Sequence, residues 1–275
     1  MIPKGFHRPR KGETCFACGK ADWCLISDTG TQCLCKRIES PMRWKDAGFL
    51  HAQDGASGAA VDLKGYAKNE PKPRFIDCDA VLQRYLQDTT RERVARFADL
   101  IGVSSESLRA LGARWSVRHE AWAFPLSNHE RKVVGIRYRT ESGEKFSMKG
   151  GSEGVFLPTS EPARTIYMPE GPTDTAALLS IGLYAIGRPN NSNGATLVRR
   201  LLGLLKPAEL IVIADRDAAG RDGAARFVAD MAWTCRVVSP PRHKDVRQWV
   251  NAGATAAAIE CVARSARYTH FARAG

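Results

Sequence analysis

Two groups of side chains in this chain have the types and spacing for chemistry. The first is acidic: Glu170 in Pro169-Glu170-Gly171-Pro172-Thr173-Asp174, and the pair in Asp215-Arg216-Asp217. Three carboxylates brought together would repel one another unless a cation lay among them. Hard oxygen donors with open positions suit Mg²⁺ or Mn²⁺, ions that also hold substrate phosphates. Acids also collect at helix N-termini, where each contributes about 0.3–1 kcal/mol. A cap needs only one acid, however, and Asp215 and Asp217 project the same way. The second group is thiol: five of the eight cysteines fall between Cys15 and Cys35. In a cytosolic enzyme a cluster this tight points to a metal before disulfides. A structural Zn²⁺ takes four ligands, and five are on offer.

The acids follow apolar runs, Thr165-Ile166-Tyr167-Met168 and Leu210-Ile211-Val212-Ile213-Ala214, which read as buried strands. Apolar strands that end in acids, with helical runs between them, describe a parallel α/β sheet. Ligands in such sheets gather at the carboxyl ends of the strands, so Glu170, Asp215 and Asp217 should share one edge. The spacing predicts helices over 175–181, 195–205, 222–231 and 254–263, with strands over 183–186 and 234–238. Asp245 falls in a loop or helix start at the same edge. The loop 187–194 leaves a strand there too, which offers Arg188 to a phosphate.

Upstream, residues 79–111 carry helical spacing: Val81, Leu82, Tyr85 and Leu86, then Val94, Phe97, Leu100 and Ile101. The aromatics fall on the apolar stripe and read as core. Two strands follow over 121–126 and 133–139, and alternation puts Arg137 and Arg139 on one face. Residues 145–151, with Lys145 and Lys149, read as a flexible basic loop. In the N-terminal part, Cys15-Phe16-Ala17-Cys18 is a knuckle and Asp28-Thr29-Gly30 is the turn of a hairpin that carries Cys33 and Cys35 on one face. So small a segment could hardly fold without its metal. The first 13 residues are basic and aperiodic and read as a mobile arm. Residues 52–74, rich in Gly, Ala, Lys, Asp and Pro, read as a linker.

The formal net charge is +12, with 44% hydrophobic residues. Such an excess calls for a polyanionic partner, most simply nucleic acid, bound with an affinity that falls steeply with salt. No apolar run approaches the roughly 18 residues of a membrane span, and no secretory signal pattern is present. A soluble, cytoplasmic protein with no membrane partner is expected.

The pattern Glu-Gly-x-x-Asp, then strand-Asp-x-Asp-x-x-Gly, resembles the Toprim domain shared by bacterial-type primases, topoisomerases and a few nucleases. Lys244-Asp245-Val246-Arg247-Gln248-Trp249 resembles the late Lys-Asp element of primase Toprim domains. The Cys-x-x-Cys-Gly-Lys-x-Asp-Trp-Cys stretch, with a last Cys before Lys36-Arg37, resembles the N-terminal zinc ribbon of primases, in the version seen in phage- and plasmid-borne relatives. It departs from the usual ribbon in having one residue, not two, between Cys33 and Cys35.

The resemblance implies a zinc ribbon over 1–51 that engages single-stranded DNA, a linker over 52–75, a helical plus basic β half over 76–160, and a Toprim catalytic domain over 161–275. It implies synthesis of short RNA primers from ribonucleoside triphosphates on a DNA template. The zinc ligands it implies are Cys15, Cys18, Cys24 and Cys35, with Cys33 the alternate. Asp215 and Asp217 become Mg²⁺ or Mn²⁺ ligands, Asp245 a third, and Glu170 either a ligand or the general base; two ions roughly 4 Å apart would clamp the attacking and leaving oxygens. Asp174 falls to a structural role. Arg137, Arg139, Lys145 and Lys149 would grip template or nucleotide phosphates. The same acids could serve a Toprim nuclease, against which the ribbon and the basic half argue. A non-catalytic zinc-finger/Toprim recombination factor would be shorter. No Gly-x-x-x-x-Gly-Lys-Ser/Thr loop is present, so a replicative helicase would act in trans.

Overall fold

The computed structural model describes residues 2–44, 47–53, 67–68, 76–189 and 194–269. The chain divides into two compact units, Met1–Arg74 and Phe75–Gly275. Most of the expected linker lies outside the described residues. No described helix is long and apolar enough to cross a membrane.

The first unit is an antiparallel sheet of short strands: β1 (Phe6–His7), β2 (Leu25–Ser27), β3 (Gln32–Cys35), β4 (Met42–Trp44), β5 (Gly48–Ala52) and β6 (Ala67–Lys68), in the order β1-β2-β3-β5-β4-β6. The hairpin β2–β3 pairs Leu25 with Leu34 and Ile26 with Cys33. Alternation therefore separates two faces. Leu25 and Leu34 join Phe6 in a small apolar core, while Cys33 and Cys35 turn toward the other thiols. The arm expected over the first 13 residues is instead tied down. Phe6 is buried, β1 pairs with β2, and the His7 ring contacts Asp28 at 3.0 Å and Glu13 at 3.1 Å. Ladder pairing and one buried aromatic hold a segment whose composition looks unstructured.

The second unit begins with α1 (Cys78–Arg84), α2 (Arg91–Ile101) and α3 (Ser105–Ala110). In α2 the Thr90 hydroxyl accepts from the Arg93 amide, and the apolar stripe buries Val94, Phe97, Ala98 and Ile101. Leu86 and Leu100, expected on the stripe, are exposed. Next comes an antiparallel sheet of β7 (Arg114–Ser116), β8 (Ala121–Ser127), β9 (Val133–Thr140) and β10 (Lys145–Ser147), ordered β10-β9-β8-β7. The supposed loop over 145–151 thus starts as an exposed edge strand, pairing with β9. Phe97 stacks on Trp122 of β8 with ring centroids 4.5 Å apart, which binds helices to sheet.

The remainder runs β11 (Thr165–Met168), α4 (Gly171–Ser180), α5 (Ala195–Leu205), β12 (Glu209–Ile213), α6 (Ala218–Met231), β13 (Cys235–Val238), α7 (Val246–Asn251), α8 (Ala256–Ser265) and β14 (Tyr268–Thr269). β11, β12 and β13 are parallel and β14 is antiparallel to β13. The segment 183–186, expected as a strand, lies on the other side of β11 through the parallel pair Tyr167–Ala185, and the pairing runs on into the expected loop through Glu170–Arg188. Antiparallel pairs Phe156–Gly187 and Ser127–Val155 then join it to β8. One core packs α5 and α6 on the sheet; a second lies between the sheet and α4, α7 and α8. Helices α4 and α6 both begin earlier than spacing predicts, because each starts directly from an acid. Glu170 occupies the N-cap position of α4, where Gly171 turns at φ +77° and Pro172 needs no amide partner; Asp217 caps α6.

Candidate active site and zinc centre

Strand register sets the acidic edge. Met168 pairs with Val212 and Ile213 with Val238, so the segments carrying Glu170 and Asp215 leave the sheet side by side. The Arg216 amide donates to the Lys244 carbonyl at 2.7 Å, which draws Asp245 to the same edge. Gly220 lets α6 start against Asp215, since a Cβ there would lie 2.5 Å from the Asp215 Cβ. Asp217 uses Oδ1 to accept from the Gly220 amide at 2.7 Å, and Lys244 Nζ stands 3.9 Å from its Oδ2. Asp245 likewise caps α7, accepting from the Gln248 amide at 2.7 Å. The Glu170 carboxylate makes no cap bond. Capping and ligation are therefore compatible here, because each cap consumes one oxygen of a carboxylate that has two.

The cations near this edge do not offset the burial and mutual repulsion of Asp174 and Asp215. Burial pushes the Asp215 carboxyl up to about 6, and Glu170, Asp245 and Asp217 add to that while Arg188 opposes it. Asp174, buried in α4, is pushed up to about 7 by burial and then by Asp245 and Asp215, against the Arg247 amide that donates to its Oδ1 at 3.2 Å. A hard divalent cation would relieve both, and carboxylate oxygens are the donors that Mg²⁺ and Mn²⁺ prefer. Among the described residues, however, only the thiols below draw three or more candidate ligand atoms together closely enough to hold a metal.

Arg188 departs from the sequence expectation. Its side chain is fully buried, donates from Nη2 to the Ile213 carbonyl at 3.1 Å and lies over the Phe227 ring. From there it offsets the charge of Glu170 and Asp215 from below the sheet edge but cannot meet a phosphate from solvent. Residues 190–193 of its loop lie outside the described residues.

The register of the antiparallel sheet puts Lys145 opposite Arg139 and Arg139 opposite Trp122, with Arg137 between Ser147 and Phe124. Arg137, Arg139 and Lys145 thus share a face. Burial lowers the Arg139 guanidinium and Arg247 adds to this, while Asp174 and Asp245 act in the other direction. Arg139 is therefore within electrostatic reach of the acidic edge. Lys145 and Lys149 are exposed. Sequence reasoning missed Arg247. It follows Asp245 by two residues, in the first turn of α7, and its Nη1 reaches the Ile101 carbonyl of α2 at 3.3 Å. A cation in the first turn of a helix, where the dipole disfavours it, is the signal that could have found it.

The first unit gathers Cys15, Cys18, Cys24 and Cys35, whose four sulfurs all lie within 4.8 Å of one another. Sulfurs 3.7 Å apart for Cys18–Cys24 and 3.9 Å for Cys24–Cys35 match the edge, about 3.8 Å, of a tetrahedron with Zn–S bonds of 2.3 Å. Amides of Arg37 and Ile38 donate to the Cys35 sulfur at 3.4 and 3.2 Å, and Arg37 Nη1 approaches Cys18 and Cys24. These donors suit thiolates bound to a metal. Cys33, with its sulfur 3.5 Å from that of Cys15, stands outside the group of four. The cluster fits zinc.

No family model matches this chain, and no curated protein matches it in sequence. Solved structures do match in shape. A DnaG primase catalytic domain bound to single-stranded DNA superposes with a TM-score of 0.56 at 17% identity, covering 69% of this chain and 77% of that one. The E. coli primase catalytic core gives 0.54 at 18%, covering 69% and 79%. The Aquifex aeolicus primase, comprising zinc-binding and RNA polymerase domains, gives 0.55 at 12% and covers 98% of this chain and 81% of that one. The chain has the mixed α/β fold of the DnaG-type primase cores, and one of the matching structures includes a zinc-binding domain.

Proposed function

We propose that this chain is a primase-type nucleotidyltransferase with a Toprim catalytic sheet, synthesising short RNA primers on single-stranded DNA. The reading is supported by the placement of Glu170 and Asp215 just past the ends of neighbouring parallel strands, with Asp217 and Asp245 within electrostatic reach of Asp215, and Asp245 also within that of Arg139, in a primase-like fold. Asp215 and Asp217, with Asp245 as a third, would hold Mg²⁺ or Mn²⁺. Bound there, the ions would supply charge to the attacking and leaving oxygens of an in-line displacement. Glu170 completes that ligand set or accepts the proton of the 3′-hydroxyl. Arg137, Arg139, Lys145 and Lys149 bind template and triphosphate oxygens and orient the two reactants. The single-stranded DNA held by a structural neighbour supports the choice of template. Initiation in the cytoplasm, with a helicase supplied in trans, completes the reading.

The test is incubation with labelled ribonucleotides, single-stranded template and Mg²⁺ or Mn²⁺. New oligomers support the proposal; a shortened template indicates a nuclease and a mobility shift alone a binding factor. Asp215→Asn should reduce synthesis about a thousandfold, since metal charge stabilisation is worth several kcal/mol. Full activity in that variant would remove Asp215 from the site.

A further inference from the structure

Trp23 is anomalous in the first unit. Its side chain is 68% exposed, and its backbone holds φ +62°, a left-handed conformation that L-residues with large side chains rarely adopt. The turn that imposes this is fixed on both sides. Arg37 grips the Asp22 carboxylate through Nη2 at 3.0 and 2.9 Å and the Asp22 carbonyl through Nη1 at 3.1 Å. The Cys24 amide donates to that same carbonyl at 2.8 Å, and the Cys24 sulfur is buried in the thiol cluster. A rigid frame therefore presents an indole to solvent. On the first knuckle, Phe16 follows Cys15 and is also exposed, at 37%. Lys20 and Lys36, both exposed, lie close in sequence to the knuckle cysteine Cys18 and the hairpin cysteine Cys35.

A large aromatic kept for packing would be buried, and strained backbone persists where its surroundings enforce it for use. Exposed rings on a rigid frame beside cations match the demands of an unpaired nucleotide: a π-face for the base and positive charge for its phosphate. We infer that Trp23, with Phe16 as a second exposed ring on the same thiol-anchored frame, is a base-stacking platform for single-stranded nucleic acid, with Lys20 and Lys36 meeting the adjacent phosphates. The inference rests on the reading of a single-stranded template but requires no polymerase activity.

The experiment measures fluorescence anisotropy of a labelled oligo-dT on the full zinc-loaded chain, with zinc content checked for every variant. Trp23→Ala should weaken binding about tenfold, while Trp23→Phe stays within about threefold because the π-face survives. Trp23→Leu, which keeps apolar bulk without the ring, should behave like Trp23→Ala. Moving a single abasic nucleotide along the oligomer should cost the wild type affinity at one position and cost Trp23→Ala nothing there. Wild-type binding by Trp23→Ala, or equal binding by the Leu and Phe variants, overturns the platform. So does a Trp23→Ala chain that binds DNA normally and loses only a protein contact. Primer synthesis is scored separately: tight, Trp23-dependent binding without primers leaves the platform standing and refutes the polymerase reading.

Discussion

At the scale of single residues, the acidic edge is defined by carboxylates whose burial and mutual repulsion outweigh the arginines beside them. Asp174 and Asp215 both titrate above the ordinary carboxyl range, first because they are buried and then because other acids face them. The folded state therefore binds protons more tightly than the unfolded chain. The stabilisation this brings is complete below about pH 4 and is lost as pH rises through about 6 to 7. Metal-free protein should accordingly melt at a lower temperature at pH 8 than at pH 5.5, and millimolar Mg²⁺ or Mn²⁺ should restore much of the difference at pH 8. Asp174→Asn should flatten the pH dependence. Calorimetry across that range checks this, and an unchanged slope in Asp174→Asn would mean the buried carboxyl is not its source.

At the scale of elements, two local assemblies decide stability. Helix α2 reaches the sheet through Phe97, fully buried and stacked on Trp122. Phe97→Ala should cost about 3–5 kcal/mol in chemical denaturation of the second unit, by lost burial plus the cavity left behind. A much smaller value would mean the helical layer is not integral to that core. The first unit depends instead on its thiols, because among the described residues its apolar cluster buries only Phe6, Leu25 and Leu34, with Trp44, Ala47 and Leu50 half-buried against them. Cys35→Ser should abolish zinc binding, with loss of the unit's protease resistance, whereas Cys33→Ser should retain one zinc per chain. Zinc stoichiometry in the two variants separates the alternatives that the sequence leaves open.

At the scale of the whole molecule, the charge of +12 sets the response to salt. Affinity for single-stranded DNA should fall linearly in log–log terms with salt, by about 0.7 for each phosphate neutralised. Lys149→Ala should lower that slope by somewhat less than 1 while weakening binding uniformly across template sequences. An unchanged slope would place Lys149 outside the interface.

Much of this was legible along the chain. Strands read from apolar runs, the thiol knuckle and the face shared by Arg137 and Arg139 all follow from side-chain type and a period of two, which are local properties. The edge position of Glu170 and Asp215 follows too, because a buried parallel strand must end where its apolar run gives way to polar residues. Tertiary structure decided what depends on neighbours remote in sequence. It sank Arg188 beneath the acids, paired β1 with the zinc hairpin and set Arg247 between α4 and α2. It also made caps of Asp217 and Asp245. Burial and charge pairing are set by which surfaces pack together across the fold, and no window of sequence contains that information. The residue types and their periods named the chemistry available; the packing of distant segments chose which of those groups face solvent and which carry an altered charge.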